Sequence, residues 1–336
     1  MRPLIFANLV LASVLSPIAD GQSLRTIEEF GQQVQELRVG KTVVKLAPAA
    51  GANVYSIRVD DVEYLHQPES AERLPGVSCG VPILYPTPNR VRAGKFKFAG
   101  ETVQFPLRKN QRWHIHGLVN RHPWKLLKSE LRDDFASVTC FADFSEGAEL
   151  HTLFPFAHQL VLTIEVREGS VKWSYMVNNQ GKKPVPFGFA LHPYITYQGM
   201  RSETFLTIPA THMMKSEDRM PTGELIAADE LDFPLGKPMT LEGKSFDDVF
   251  WGMDTKRPTA IEFRDVRRKI EISTSEHFTH LVVWTPDRNY FGIESQTCST
   301  DAHNLHAAGK EGEAHLQICP PGETMSAWVE YKFTSN

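Results

Sequence analysis

Two neighbouring segments of this chain alternate in polarity residue by residue, and that period decides what the chain can fold into. Leu160, Leu162, Ile164 and Val166 alternate with Val161, Thr163, Glu165 and Arg167. After the turn signal Glu168-Gly169-Ser170, Val171, Trp173, Tyr175 and Val177 alternate with Lys172, Ser174, Met176 and Asn178. Successive side chains of a strand point to opposite faces, so this pattern predicts a hairpin with one buried face. The pattern recurs at Val54–Val59, Lys95–Phe98, Ile270–Ser273, His280–Thr285 and Ala327–Phe333, and no long segment carries the helical period. Gly and Pro, 22 of each, break the chain into short pieces. The fold class this predicts is all-β, a large antiparallel β-sandwich. Pro82, Pro86 and Pro88, like Pro184, Pro186 and Pro193, mark stretches that cannot lie in a central ladder. The length, 336 residues, would allow about two domains. Residues 39–336 show no linker, repeat or low-complexity tract and read as one domain. The polar run 22–38 ahead of it reads as a short helix or a loose N-terminal arm.

Lys and Arg number 36 against 40 Asp and Glu, a formal charge of −4, so no basic surplus points to nucleic acid or an anionic membrane. At the N-terminus Arg2 precedes an apolar stretch from Leu4 to Ile18. A spanning helix needs about 20 apolar residues, so no membrane span is expected here. Ala19 and Gly21 are the small residues of a cleavage site, and residues 1–21 read as a secretory signal peptide. The expected location is therefore the periplasm or the exterior. Four cysteines, Cys79, Cys140, Cys298 and Cys319, could pair in three ways, and buried free thiols fit as well.

Several catalytic patterns are tested and fail. Gly76-Val77-Ser78-Cys79-Gly80 matches G-x-S-x-G, but Pro82 and Pro86 oppose the helix that a nucleophile elbow requires. Nucleotide-binding glycine patterns, H-E-x-x-H and C-x-x-C are absent from the sequence. His114 and His116 would share one face of a strand and could grip a metal, but no spacing supplies a third ligand. The sequence calls for no cofactor and no metal.

Four islands combine turn residues with polar groups that are costly to bury without purpose. They are Pro82–Val91 with Asn89-Arg90, His114–Val119 with His116-Gly117, Pro186–Tyr194 with Gly188 ahead of His192-Pro193, and Phe291–Thr297 with Glu294 and Gln296. A weaker fifth is Ser245–Phe250. In this order, from about residue 40 to Pro321-Gly322-Glu323 and Trp328, the chain resembles the aldose 1-epimerase family of galactose mutarotase-like proteins. The resemblance implies a large antiparallel sandwich, a small-molecule sugar substrate, no cofactor, and a monomer or homodimer. It also implies roles. Glu294 matches the general base and His192 the general acid. Asn89, Arg90 and His116 match sugar-binding positions. Asp247 matches an aspartate for sugar hydroxyls, with Asp248 as its competitor, and Gln296 lies beside the base on the same strand face. Phe187, Tyr194 and Trp124 are candidates for stacking on a sugar. The expected function is interconversion of the α and β anomers of free aldohexoses.

The sequence departs from the family pattern in two places. A second glycine is missing after His116-Gly117, and Arg121–Trp124 looks more like the hexose-6-phosphate mutarotase branch. Segment 195–245 carries no matched motif. The alternatives are a hexose-6-phosphate mutarotase, with Arg92, Lys95, Arg108 and Arg121 as its basic cluster, and a non-catalytic carbohydrate-binding module on the same fold.

Overall fold

The computed structural model describes residues 21–335, and the expected signal peptide lies almost wholly outside them. The chain is built from antiparallel strands in three large sheets. Five strands form a meander, Gln22–Glu29, Gln32–Val39, Thr42–Ala47, Asn53–Val59 and Val62–Glu63. A nine-stranded sheet is centred on the predicted hairpin, now Gln159–Arg167 and Ser170–Asn178, with Thr324–Ser335 beside it. An eight-stranded sheet holds the site. Its order is Met220–Ala227, His212–Glu217, Asp247–Trp251, His280–Trp284, Tyr290–Gln296, Ala190–Leu191 and Ile83–Leu84, and Ile195–Thr196 also pairs with Tyr290–Gln296.

Alternation places the core. Leu160, Leu162, Ile164 and Val166 are all fully buried, as are Val171 and Val177. On the eight-stranded sheet Leu281, Val283, Phe291 and Ile293 join the same main core. Their strand neighbours face the other way. Val249 and Val282 pack there in a smaller cluster with Ala302 and Leu305. Val282 stands opposite Glu294 in register, so Glu294 belongs to this second face.

The expectation for 22–38 is corrected. These residues are neither helix nor loose arm but a hairpin turning at Phe30-Gly31, both with positive φ. Its second strand pairs with Thr42–Ala47 and buries Val34, Leu37 and Val39. The polarity pattern hid this because Gln35 is buried too, its amide donating to Thr26 Oγ1 at 3.0 Å. The four cysteines are free and buried.

Candidate active site

Strand Tyr290–Gln296 supplies the centre of the site. Residues two apart share a face, so Glu294 and Gln296 point together, and Gln296 Nε2 donates to Glu294 Oε2 at 3.1 Å. His192 follows the short strand Ala190–Leu191, which pairs with Tyr290–Gln296 through Ala190 and Gln296. Its backbone N–H donates to Pro82 O at 3.0 Å. Pro193 ends the ladder, and the ring turns toward the carboxyl, with His192 Nε2 3.3 Å from Glu294 Oε1. Both side chains are almost fully buried, at 6% and 3% exposure.

Burial acts on the two groups in opposite directions. It pushes the Glu294 carboxyl up to about 8, helped by Asp247 and opposed by Gln296 and Arg90. It pulls the His192 imidazole down to about 4, with Arg90 adding to the effect. Removing either group from water disfavours its charged form. At neutral pH the pair therefore holds one proton between them. Two acid–base groups in contact that share one proton can take a proton from one atom of a substrate and give one to another.

The loop layer closes over this pair. Asn89 has a left-handed backbone, and its carbonyl accepts from His116 N at 2.7 Å. Arg90 opens the strand Arg90–Arg92, and its Nη1 donates to Asn89 Oδ1 at 2.9 Å. Arg90 Nη2 lies 3.6 Å from Asp247 Oδ2. Asp247 begins strand Asp247–Trp251 and stands opposite Trp284 in register. Asp248, the competitor, faces away from the cleft and accepts from the Asp247 backbone N–H at 3.3 Å. His116 sits T-shaped against His192, with ring centroids 5.1 Å apart, and burial holds it well below the ordinary imidazole range.

The His-Gly pair has a local cause. Strand Trp113–Ile115 ends before His116, and His116 and Gly117 both have positive φ. A Cβ on Gly117 would lie 2.2 Å from Tyr85 O, so only glycine lets the two backbones meet. The same turn overturns the shared-face reading of the two histidines. His114 stacks on Phe105 and its Nε2 bonds Gly117 O, whereas His116 faces His192.

The result is a cavity of about 300 Å³ lined by Asn89, Arg90, His116, His192, Asp247 and Glu294, with Tyr194, Trp284, Arg219 and Val77 completing the wall. Gln296 lies behind Glu294. Every predicted site residue is thus brought together. Of the aromatic candidates only Tyr194 reaches the cleft, and Phe187 and Trp124 are buried in the main core. Four buried polar atoms here have no partner among the described residues: Arg90 Nε, His116 Nδ1, His192 Nδ1 and Gln296 Oε1.

Sequence reasoning missed Arg219 and Trp284. Arg219 lies in the unmatched segment 195–245, at the Asp218-Arg219 turn of the hairpin His212–Glu217 and Met220–Ala227. Its Nε is 3.6 Å from the Asp247 oxygen that Arg90 also faces. Trp284 sits in an apolar strand run, where nothing distinguishes a cleft tryptophan from a core one. Ser78 of the rejected G-x-S-x-G pattern donates to Arg73 O at 2.6 Å, and no helix follows it.

Comparison with known proteins gives the family and the fold. The aldose 1-epimerase family matches residues 33–332, so the chain belongs to that family. The uncharacterized protein YihR of Escherichia coli (strain K12) is 24% identical over 250 residues, covering 70% of this chain and 75% of that one. The fold is that of a galactose mutarotase-like protein from Clostridium acetobutylicum, with a TM-score of 0.83 and 21% identity over 94% of this chain and 99% of that one. It is also that of galactose 1-epimerase from Lactobacillus acidophilus, with a TM-score of 0.74 and 15% identity over 94% and 99% of the two chains.

Proposed function

We propose that this protein is an aldose 1-epimerase that interconverts the α and β anomers of free aldohexoses, with Glu294 and His192 as its acid–base pair. The observation that carries the reading is the buried Glu294–His192 contact at 3.3 Å, on the floor of a cleft edged by Arg90 and Asp247.

Mutarotation moves two protons. The base takes the proton of the anomeric hydroxyl while the acid delivers one to the ring oxygen, and the C1–O5 bond breaks. The free aldehyde turns about C1–C2, and the ring closes on the other face as both transfers reverse. A pair holding one proton supports this cycle. With the sugar closed, the shared proton, which rests on Glu294, first passes across the 3.3 Å contact to His192, so that carboxylate and imidazolium face the two oxygens. With the sugar open, the proton from O1 is on Glu294 and the proton from His192 is on O5. Each closed ring restores the starting state, so no net proton enters or leaves. Arg90, Asn89 and Asp247 hold sugar hydroxyls so that C1 and O5 meet the pair, and Gln296 keeps the Glu294 carboxyl in one orientation.

None of Arg92, Lys95, Arg108 and Arg121, the basic cluster considered for a phosphorylated sugar, lines the cleft. Arg92 ion-pairs with Asp301 at 3.5 Å and lines a different cavity. Arg108 and Arg121 line a neighbouring depression that borders the cleft at Val77 and His116.

Optical rotation of freshly dissolved α-D-glucose and α-D-galactose tests the reading. Decay accelerated by the wild-type protein and not by Glu294→Gln is the expected result. Decay at the uncatalysed rate with both sugars would reject it.

A further inference from the structure

The cleft shares a wall with a second cavity. Val77, Tyr194 and Trp284 border both the cleft and a neighbouring space of about 410 Å³. This space is closed by the His66–Arg73 stretch and by the turn Arg288-Asn289-Tyr290. Aromatic rings lead from the cleft into this space. His192 stacks on Tyr194 with centroids 5.0 Å apart, Tyr194 meets Tyr290 at 5.3 Å, and Tyr290 meets His66 at 4.6 Å. Trp284 bridges the series, 5.7 Å from His192 and 5.9 Å from Tyr290.

Three of these rings lie outside the buried core. His66, Trp284 and Tyr290 are each half-buried, so they present surface to the cavity. Around them stand exposed Gln67, Glu69, Arg73, Arg288 and Asn289, a rim of both charge signs with amide groups. Ring faces set among many polar and charged side chains suit a small polar molecule. A rim of mixed sign suits a neutral polyhydroxylated guest better than an anion.

Chemistry fixes how such a guest would be joined to the first. The sugar that undergoes mutarotation keeps its anomeric hydroxyl free, so it can be extended only through another hydroxyl. A second unit must then lie beside the acid–base pair and not across it. The second cavity meets this condition, since neither Glu294 nor His192 lines it.

We propose that this cavity is a second sugar subsite, which takes the non-reducing unit of a reducing disaccharide while its reducing unit occupies the cleft. The proposal rests on the mutarotase reading and deepens it. Anomer exchange of D-glucose, maltose and cellobiose, measured by NMR, tests it together with calorimetric binding of the same sugars. The expected result is a kcat/KM for maltose or cellobiose about tenfold above that for glucose, the scale of one aromatic contact. Tyr290→Ala and Arg288→Ala should each bring that ratio toward one. Arg288 is on an exposed turn, so its variant keeps the fold even if Tyr290→Ala disturbs Trp284. A wild-type ratio near one, or a ratio that neither variant moves, overturns the subsite while leaving the mutarotase reading in place. If no sugar is turned over, the mutarotase reading fails and calorimetry decides the subsite. Disaccharide binding about tenfold tighter than glucose, lost in Arg288→Ala, would support it, and equal or absent binding would overturn it.

Discussion

Glu294 is a buried acid whose position costs the protein stability. Its folded-state carboxyl is raised to about 8, above the unfolded value, so the native state binds the extra proton more tightly between the two values. Stability is therefore lost as pH rises from the unfolded carboxyl range toward 8. Removing the charge should recover it. Glu294→Gln is expected to lose activity by at least about a thousandfold, the range of a lost acid–base group. It should also raise Tm at pH 9 by about 2–6 °C, with the gain shrinking to nothing below pH 4. Thermal melts at the two pH values, run beside activity, check both halves. A variant that is inactive and less stable at pH 9 would mean the carboxyl serves the fold instead. His192→Asn should remove activity with the circular dichroism spectrum unchanged, and a wild-type rate would take the acid role from it.

At the scale of elements, turns decide what reaches the cleft. The Gly117 backbone meets Tyr85, and a side chain there must displace one of the two backbone segments. Gly117→Ala is expected to cost about 2–4 kcal/mol in chemical denaturation and to lower activity through His116. The hairpin turn at Asp218-Arg219 brings a guanidinium to Asp247, and its partner Asp218 ion-pairs with Arg112. Arg219 is well exposed, and in the proposed mutarotase it holds substrate at the rim. Arg219→Ala should raise KM about tenfold with kcat within about twofold, as expected for lost uniform binding. The strand hairpin at 160–178 was legible because each apolar residue falls on one face. Glu294, His192, Arg90 and His116 were legible because each stands in a short island of turn residues and polar groups. Arg219 and Trp284 were not. A turn arginine and an apolar-run tryptophan look ordinary until two distant strands place them on one cavity.

The whole molecule supplies what no segment contains. The 22–39 hairpin reads as polar in sequence, yet Val34, Leu37 and Val39 complete a sheet and two parts of the core. Deleting the chain through Val39 should expose the Thr42–Ala47 edge and give aggregation or a Tm lowered by more than about 10 °C, read by scanning calorimetry. The site itself is assembled from islands about 200 residues apart, Asn89-Arg90 and Glu294-Gln296, and their order was visible while their meeting was not. Only the closed sandwich and its loop layer exclude water from Glu294 and His192, and that exclusion sets the single shared proton. The pH profile of kcat/KM for α-D-glucose mutarotation tests this most directly. A bell is expected, falling below about pH 4 where the pair takes a second proton and above about pH 8 where it loses its only one. A profile with one limb only, or one whose limbs survive in Glu294→Gln, would contradict it.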